Sequence, residues 1–164
     1  VVAQDHQSDE VIRNINTVVD KARAENCPVI WVQHASDELV PDSDVWQYVP
    51  ELKRADSEPL VHKKYGDSFE DTTLESELAK RGVGRLVVTG AQTDACIRST
   101  SHGGFTRGYD VVLASDAHST DDYSGYGMPQ PDKVIAHMNG YWKGQDAPSS
   151  TEGVGETAKG DLNA

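Results

Sequence analysis

Cys96 and Lys63 are the two side chains in this sequence best placed to do chemistry. Cys96 closes the run Arg85-Leu-Val-Val-Thr-Gly-Ala-Gln-Thr-Asp-Ala-Cys96, which reads as a strand, a glycine turn and the start of a helix. Most free cysteines are small core residues. Position after a strand and turn, at the carboxyl end of a parallel sheet, shifts Cys96 towards function. In a first helical turn, the helix dipole and unpaired N–H groups favour thiolate over thiol. The same N–H groups can hold an oxyanion when the sulfur attacks a carbonyl or imine carbon. Lys63 ends a short strand, Leu60-Val-His-Lys63, so it can meet Cys96 at one sheet edge. A cation beside sulfur favours the thiolate further, although by base rate a lysine is a surface residue.

Other candidates are weaker. Cys27 sits in Asn26-Cys27-Pro28 after a helix and reads as core packing. Two cysteines make no disulfide framework, and they lack the CxxC or Cys/His spacing of a zinc site. His34 has no Asp-x-His partner and is expected to make a local hydrogen bond. No metal and no cofactor are implied. Trp46, Tyr65 and Phe69 suggest a partly aromatic substrate pocket.

The elements that must position these groups follow from periodicity. Val11, Ile12, Ile15, Val18, Val19 and Ala22 recur at helical spacing, which predicts a helix over 8–25 with Ser8 as its N-cap. Residues 29–33 form a strand, 35–59 an acidic loop, 60–63 a strand and 72–81 a helix ended by Gly82 or Gly84. After the strand at 85, Thr93 or Asp94 can cap the helix that carries Cys96. Gly103-Gly104 inside that helix points to a close packing contact. A strand over 109–115 closes at Asp116-Ala-His118, and a last helix spans 131–142. Strands alternate with helices, so the fold class is α/β, a doubly wound, mostly parallel sheet with helices on both faces. Val87, Val88, Val111 and Leu113 are expected to be buried. Residues 1–143 form the domain, and 144–164 a Gly-, Ser- and Thr-rich tail or oligomerisation arm.

Composition narrows the partners. The 164 residues suffice for one domain with a real core. Fifteen basic against 27 acidic residues leave a net charge of −12, which disfavours nucleic acid and anionic membranes. No run approaches a membrane span and no signal peptide opens the chain, so a cytoplasmic protein with a small-molecule substrate is expected. The arm suggests a homo-oligomer, a dimer or tetramer.

The residues resemble the isochorismatase-like cysteine hydrolases. That family's nucleophile motif is Gly, a small residue, any residue, Thr, Asp or Asn, any residue, Cys, and here it is Gly90-Ala-Gln-Thr-Asp-Ala-Cys96. The match continues through Ile97, Thr100, Arg107-Gly108-Tyr109, Val111 and Ser115-Asp116-Ala117. Lys63 followed by Asp67-Ser68-Phe69 and Thr72 fits the lysine segment, and Trp31-Val-Gln-His34 the second strand. The resemblance implies an Asp-Lys-Cys triad, with Cys96 as nucleophile and Lys63 as charged neighbour and proton relay. It also implies a cis peptide at Ala91-Gln92 that aims the N–H groups of Gln92 and Cys96 at an oxyanion. The family's Asp ends a first strand ahead of the first helix. Asp5-His6-Gln7 mimics that run, but no useful strand precedes it, so the strand and its Asp are expected upstream of Val1. A true loss of the Asp would make the chain a non-catalytic binding or scaffold domain. Metal is not implied, because Val32-Gln33-His34 lacks the Asp of the nicotinamidase branch.

Overall fold

The computed structural model describes residues 6–44, 46–146 and 152–157, with Glu152 described by its main chain alone. In order, the elements are α1 (Ser8–Ala24), β1 (Trp31–His34), β2 (Leu60–Lys63), α2 (Leu74–Lys80), β3 (Arg85–Ala91), α3 (Arg98–Thr106), β4 (Asp110–Ser119), α4 (Pro131–Trp142) and β5 (Glu152–Gly155). A π-helical turn, Thr93–Ile97, joins β3 to α3. Every strand pairing among the described residues is parallel, and helices cover both faces, so the architecture is a three-layer α/β fold.

β4 is the axis of the core. Its apolar residues alternate between two helical layers, as strand geometry requires. Val112, Ala114 and Ala117 meet Val11, Ile15 and Val19 of α1. Val111 and Leu113 meet Ile97, Phe105, Met138 and Trp142 on the other face. A third cluster, Val61, Phe69, Leu74 and Leu78, joins β2 to α2. The close approach signalled by Gly103-Gly104 is present. A Cβ on Gly103 would fall inside the carboxylate of Asp67, and one on Gly104 would sit 2.9 Å from Leu86 Cδ1.

The hydrogen-bonded ladder divides into β1–β2 and β3–β4–β5. A cavity of about 840 Å³ separates the two, lined by both edge strands and by side chains from both helical layers. Val87 was expected to be buried but is 39% exposed, and so is Val32 across the cavity. A strand buries both faces only when it has neighbours on both sides, and among the described residues β3 lies at a sheet edge. Residues 152–155 of the expected arm add β5 to the outer side of β4, where Val154 packs on the Val111–Leu113 cluster.

Three local expectations are corrected. Gln7, in a left-handed conformation, is the N-cap of α1 in place of Ser8. Neither Thr93 nor Asp94 caps the turn after β3, because Thr93 is drawn to His118 of β4 and Asp94 to Thr120 just after it. Cys27 is exposed instead of packed, since the chain leaves α1 through Asn26 at positive φ and carries the thiol outward.

Candidate active site

The short strand β2 ends at Lys63 because parallel pairing with β1 runs out at the His34–Lys63 pair. Lys63 is only 5% exposed. Its Nζ donates to the carbonyls of Tyr65 at 2.7 Å and Gly66 at 3.1 Å, and lies 3.0 Å from Cys96 Sγ. An ammonium has three N–H bonds, and these three acceptors match them. His34 Nδ1 lies 3.5 Å from the same Nζ. Burial, and then the Lys63 charge, push the His34 pKa below its ordinary value, so the ring stays neutral beside the ammonium.

The loop after Lys63 is docked on the helix that follows Cys96. Ser68 N–H donates to Thr100 Oγ1 at 3.1 Å, and the two hydroxyls are 2.7 Å apart. Asp67 occupies the space left by Gly103. Lys63 and Cys96 therefore come from separate sheets, but their supports touch.

Cys96 is held on a turn that does not follow α-helical spacing. Gln92 C=O accepts from Ala95 N–H at 3.1 Å and from Ile97 N–H at 3.0 Å, the second closing a π-type ring. The Ala91–Gln92 peptide bond is cis, and Gly90 adopts φ +116° just before it. Only glycine takes that backbone without strain. The end of β4 and the two residues that follow it then grip the turn residue by residue. Gln92 Nε2 donates to Asp121 Oδ2, Thr93 Oγ1 meets His118 Nδ1 at 2.8 Å, and Thr120 Oγ1 donates to Asp94 Oδ1 at 2.7 Å.

Lys63, Cys96, Ala91, Gln92, Trp46 and Phe69 all line the cavity between the sheets. Tyr65 is not brought in: the residue is 53% exposed, and its carbonyl is what reaches Lys63. Two buried polar atoms of the cavity wall, Gln33 Oε1 and Trp46 Nε1, have no hydrogen-bond partner among the described residues. Among the described residues no carboxylate lies within ion-pair distance of Lys63, and Asp5 falls outside them. No group of three or more His, Cys, Asp or Glu side chains that could hold a metal occurs among them either.

Sequence reasoning missed the nearness of His34 to Lys63 and the grip of 118–121 on the turn. The available signals were a histidine at the end of a strand that pairs with the lysine strand, and a polar His-Ser-Thr-Asp run closing an apolar strand.

The comparisons with known proteins fit this geometry. A model of the isochorismatase domain matches residues 1–127. The secreted isochorismatase effector Isc1 of Verticillium dahliae is 32% identical over 125 residues, which is 74% of this chain and 66% of that protein. The chain thus spans just under two thirds of that relative's length. The crystal structure of an isochorismatase family protein superposes with a TM-score of 0.81 at 26% identity, over 91% of this chain and 86% of the other. A cysteine hydrolase from Pseudomonas syringae pv. phaseolicola shares the fold with a TM-score of 0.79 at 22% identity, over 92% of this chain and 78% of that one.

Proposed function

The chain belongs to the isochorismatase family, and from that premise we propose that it is a cysteine hydrolase of the Asp-Lys-Cys type. Its substrate is a small molecule, cleaved at an amide or a related C–N or ether bond. The observation that carries this reading is the 3.0 Å contact between buried Lys63 Nζ and Cys96 Sγ. A buried cation in contact with a thiol in a cavity wall stabilises a nucleophilic sulfur, and Cys96 is the cysteine that Lys63 touches.

For an amide the steps are as follows. The thiolate of Cys96 attacks the carbonyl carbon, and the oxyanion faces the N–H groups of Gln92 and Cys96. The C–N bond breaks and the amine leaves with a proton from Lys63, which gives a thioester and a neutral lysine. Water then adds to the thioester, Lys63 regains a proton, and the acid departs with Cys96 again a thiolate. A carboxylate ahead of α1, the family's third member, would share the proton of that water. Trp46 Nε1 and Gln33 Oε1 offer a donor and an acceptor to polar groups in the cavity.

Two free thiols suit a reducing cytoplasm. The exposed Tyr126 and Met128 offer apolar area that a second copy would cover. A homo-oligomer is therefore expected in light scattering at micromolar concentration, and a monomer would remove that part of the reading.

The test is chemical. Iodoacetamide is expected to label Cys96 much faster than Cys27 near neutral pH, read by peptide mass spectrometry. A panel of small amides should give a covalent adduct on Cys96 in the intact protein. Equal labelling of both cysteines, with no adduct, favours the other reading, a non-catalytic binding or scaffold domain. That second reading draws on the lack of a carboxylate beside Lys63 among the described residues.

A further inference from the structure

The buried histidine of β4 has no part in the chemistry above, yet it touches the turn that carries the nucleophile. We propose that His118 is a positioning residue for Cys96: as the neutral Nε2–H tautomer it accepts the Thr93 hydroxyl and fixes the first residue of the nucleophile turn. This rests on the reading of Cys96 as the nucleophile.

The tautomer follows from the hydrogen-bond chain. Asn139 Nδ2 donates to Ser115 C=O at 3.0 Å, so the amide presents its oxygen to the ring. That oxygen lies 3.0 Å from His118 Nε2, which must therefore carry the proton. Nδ1 is then a lone-pair acceptor, and Thr93 Oγ1, 2.8 Å away, can only donate to it. The relay runs one way, from Thr93 through His118 and Asn139 to a main-chain carbonyl of β4. Thr93 is 0% and His118 1% exposed, so water cannot substitute for either partner. Burial is also the largest influence on the ring and pushes its pKa below the ordinary value, against the opposing pull of Asn139 and Asp116.

The same contact explains why the turn is not an ordinary capped helix start. A threonine there would normally turn its hydroxyl back to the N–H groups of its own turn. Here the hydroxyl is taken by β4, and no side chain caps the turn. β3 and β4 support the arrangement, because their pairing slips between Val88 and Gly90 and brings Gly90 opposite His118. Gln92–Asp121 and Asp94–Thr120 flank the Thr93–His118 contact on either side. The placement of the sulfur thus depends on side chains 25 residues away.

Alkylation of Cys96 reads this placement without a known substrate, with Cys27 as the internal control. Thr93→Val keeps the shape and removes the donor. It is expected to slow Cys96 labelling by about tenfold, equivalent to ~1.4 kcal/mol of barrier, with Cys27 labelling unchanged. Thr93→Ser, which keeps the hydroxyl, is expected to restore the rate to within about twofold of wild type. Should Thr93→Val not fold, Asn139→Leu carries the test from the far end of the relay. It should slow Cys96 labelling and give a tautomer mixture at His118 in long-range 1H–15N spectra, where wild type shows only Nε2–H. Wild-type labelling rates in folded Thr93→Val or Asn139→Leu, or an Nδ1–H tautomer in wild type, overturn the positioning role. If wild-type Cys96 itself labels no faster than Cys27, it is the nucleophile reading that fails.

Discussion

The two sides of the cavity are built by different means. On the Cys96 side, β4 is packed on both faces, with Val111 and Leu113 at no exposure and Trp142 sealing them from α4. Side chains from the end of that strand and from the two residues after it hold the turn that carries Cys96. On the Lys63 side, two four-residue strands and a long acidic loop share a smaller core. Polar contacts carry more of the load there. Glu58 takes two bonds from Arg23 at 2.8 and 3.0 Å, one from Trp31 Nε1 at 2.7 Å and one from Ala55 N–H at 3.0 Å. Cys96 is thus placed by packing plus a hydrogen-bonded strap, and the strand of Lys63 by an ionic hub plus main-chain carbonyls. Perturbing the first side should cost stability broadly, and perturbing the second should act mainly through charge.

The largest expected effect separates chemistry from folding. Cys96→Ser should lower turnover of a responsive amide by about 10⁴-fold or more, because a hydroxyl needs far stronger base help than a thiol. Its urea midpoint should stay near wild type; a large loss of stability would mean that Cys96 is chiefly a packing residue. Next comes the packing contrast. Leu113→Ala should destabilise by about 2–5 kcal/mol, while Val32→Ala at the cavity edge should cost under about 1 kcal/mol. Similar costs for the two in urea melts would erase the proposed difference between the sides.

Gly103→Ala tests the seam between the sides. The added methyl must displace Asp67 and with it the loop that holds Lys63. A loss of about 1–3 kcal/mol is expected, with slower Cys96 alkylation. Unchanged alkylation would show that the loop yields without moving the lysine. The smallest effect concerns pH. The Arg23 hydrogen bonds hold the Glu58 carboxyl at about 2, below its ordinary 4.5. A depressed pKa contributes stability that is complete above about pH 4.5 and is lost as pH falls towards 2. Glu58→Gln should therefore cost about 1–2 kcal/mol at pH 7, discounted for its partly solvated ion pair. The difference from wild type should shrink between pH 5 and pH 2 in thermal melts. A constant difference across that range would mean that the carboxylate charge is not what holds the hub.

What could be read from the chain and what could not divide along the same line. The strand–turn–cysteine stretch, the lysine strand and α4 are local patterns, and the spacing of their residues is enough to find them. The Gly103-Gly104 pair was legible as a close contact because a doubled glycine in a helix has few other uses. The exposure of Val87 was not legible, because the burial of a strand is set by whichever strands lie beside it. The capping error at Thr93 has the same origin. The local rule offered the hydroxyl a partner in its own turn, and a histidine 25 positions later outbid it. Cys27 failed because a single residue at positive φ, Asn26, redirects the chain.

The divided ladder has a consequence for time as well as shape. Among the described residues, β1 and β3 each present one edge that no strand pairs with, and both edges look into the same cavity. An edge amide within reach of water can exchange its hydrogen without the domain opening, whereas an amide inside β4 must wait for its neighbours on both sides to part. Placed in deuterium oxide, the protein would keep two clocks: a fast one along the cavity-facing amides of β1 and β3, and a slow one in β4, between β3 and β5.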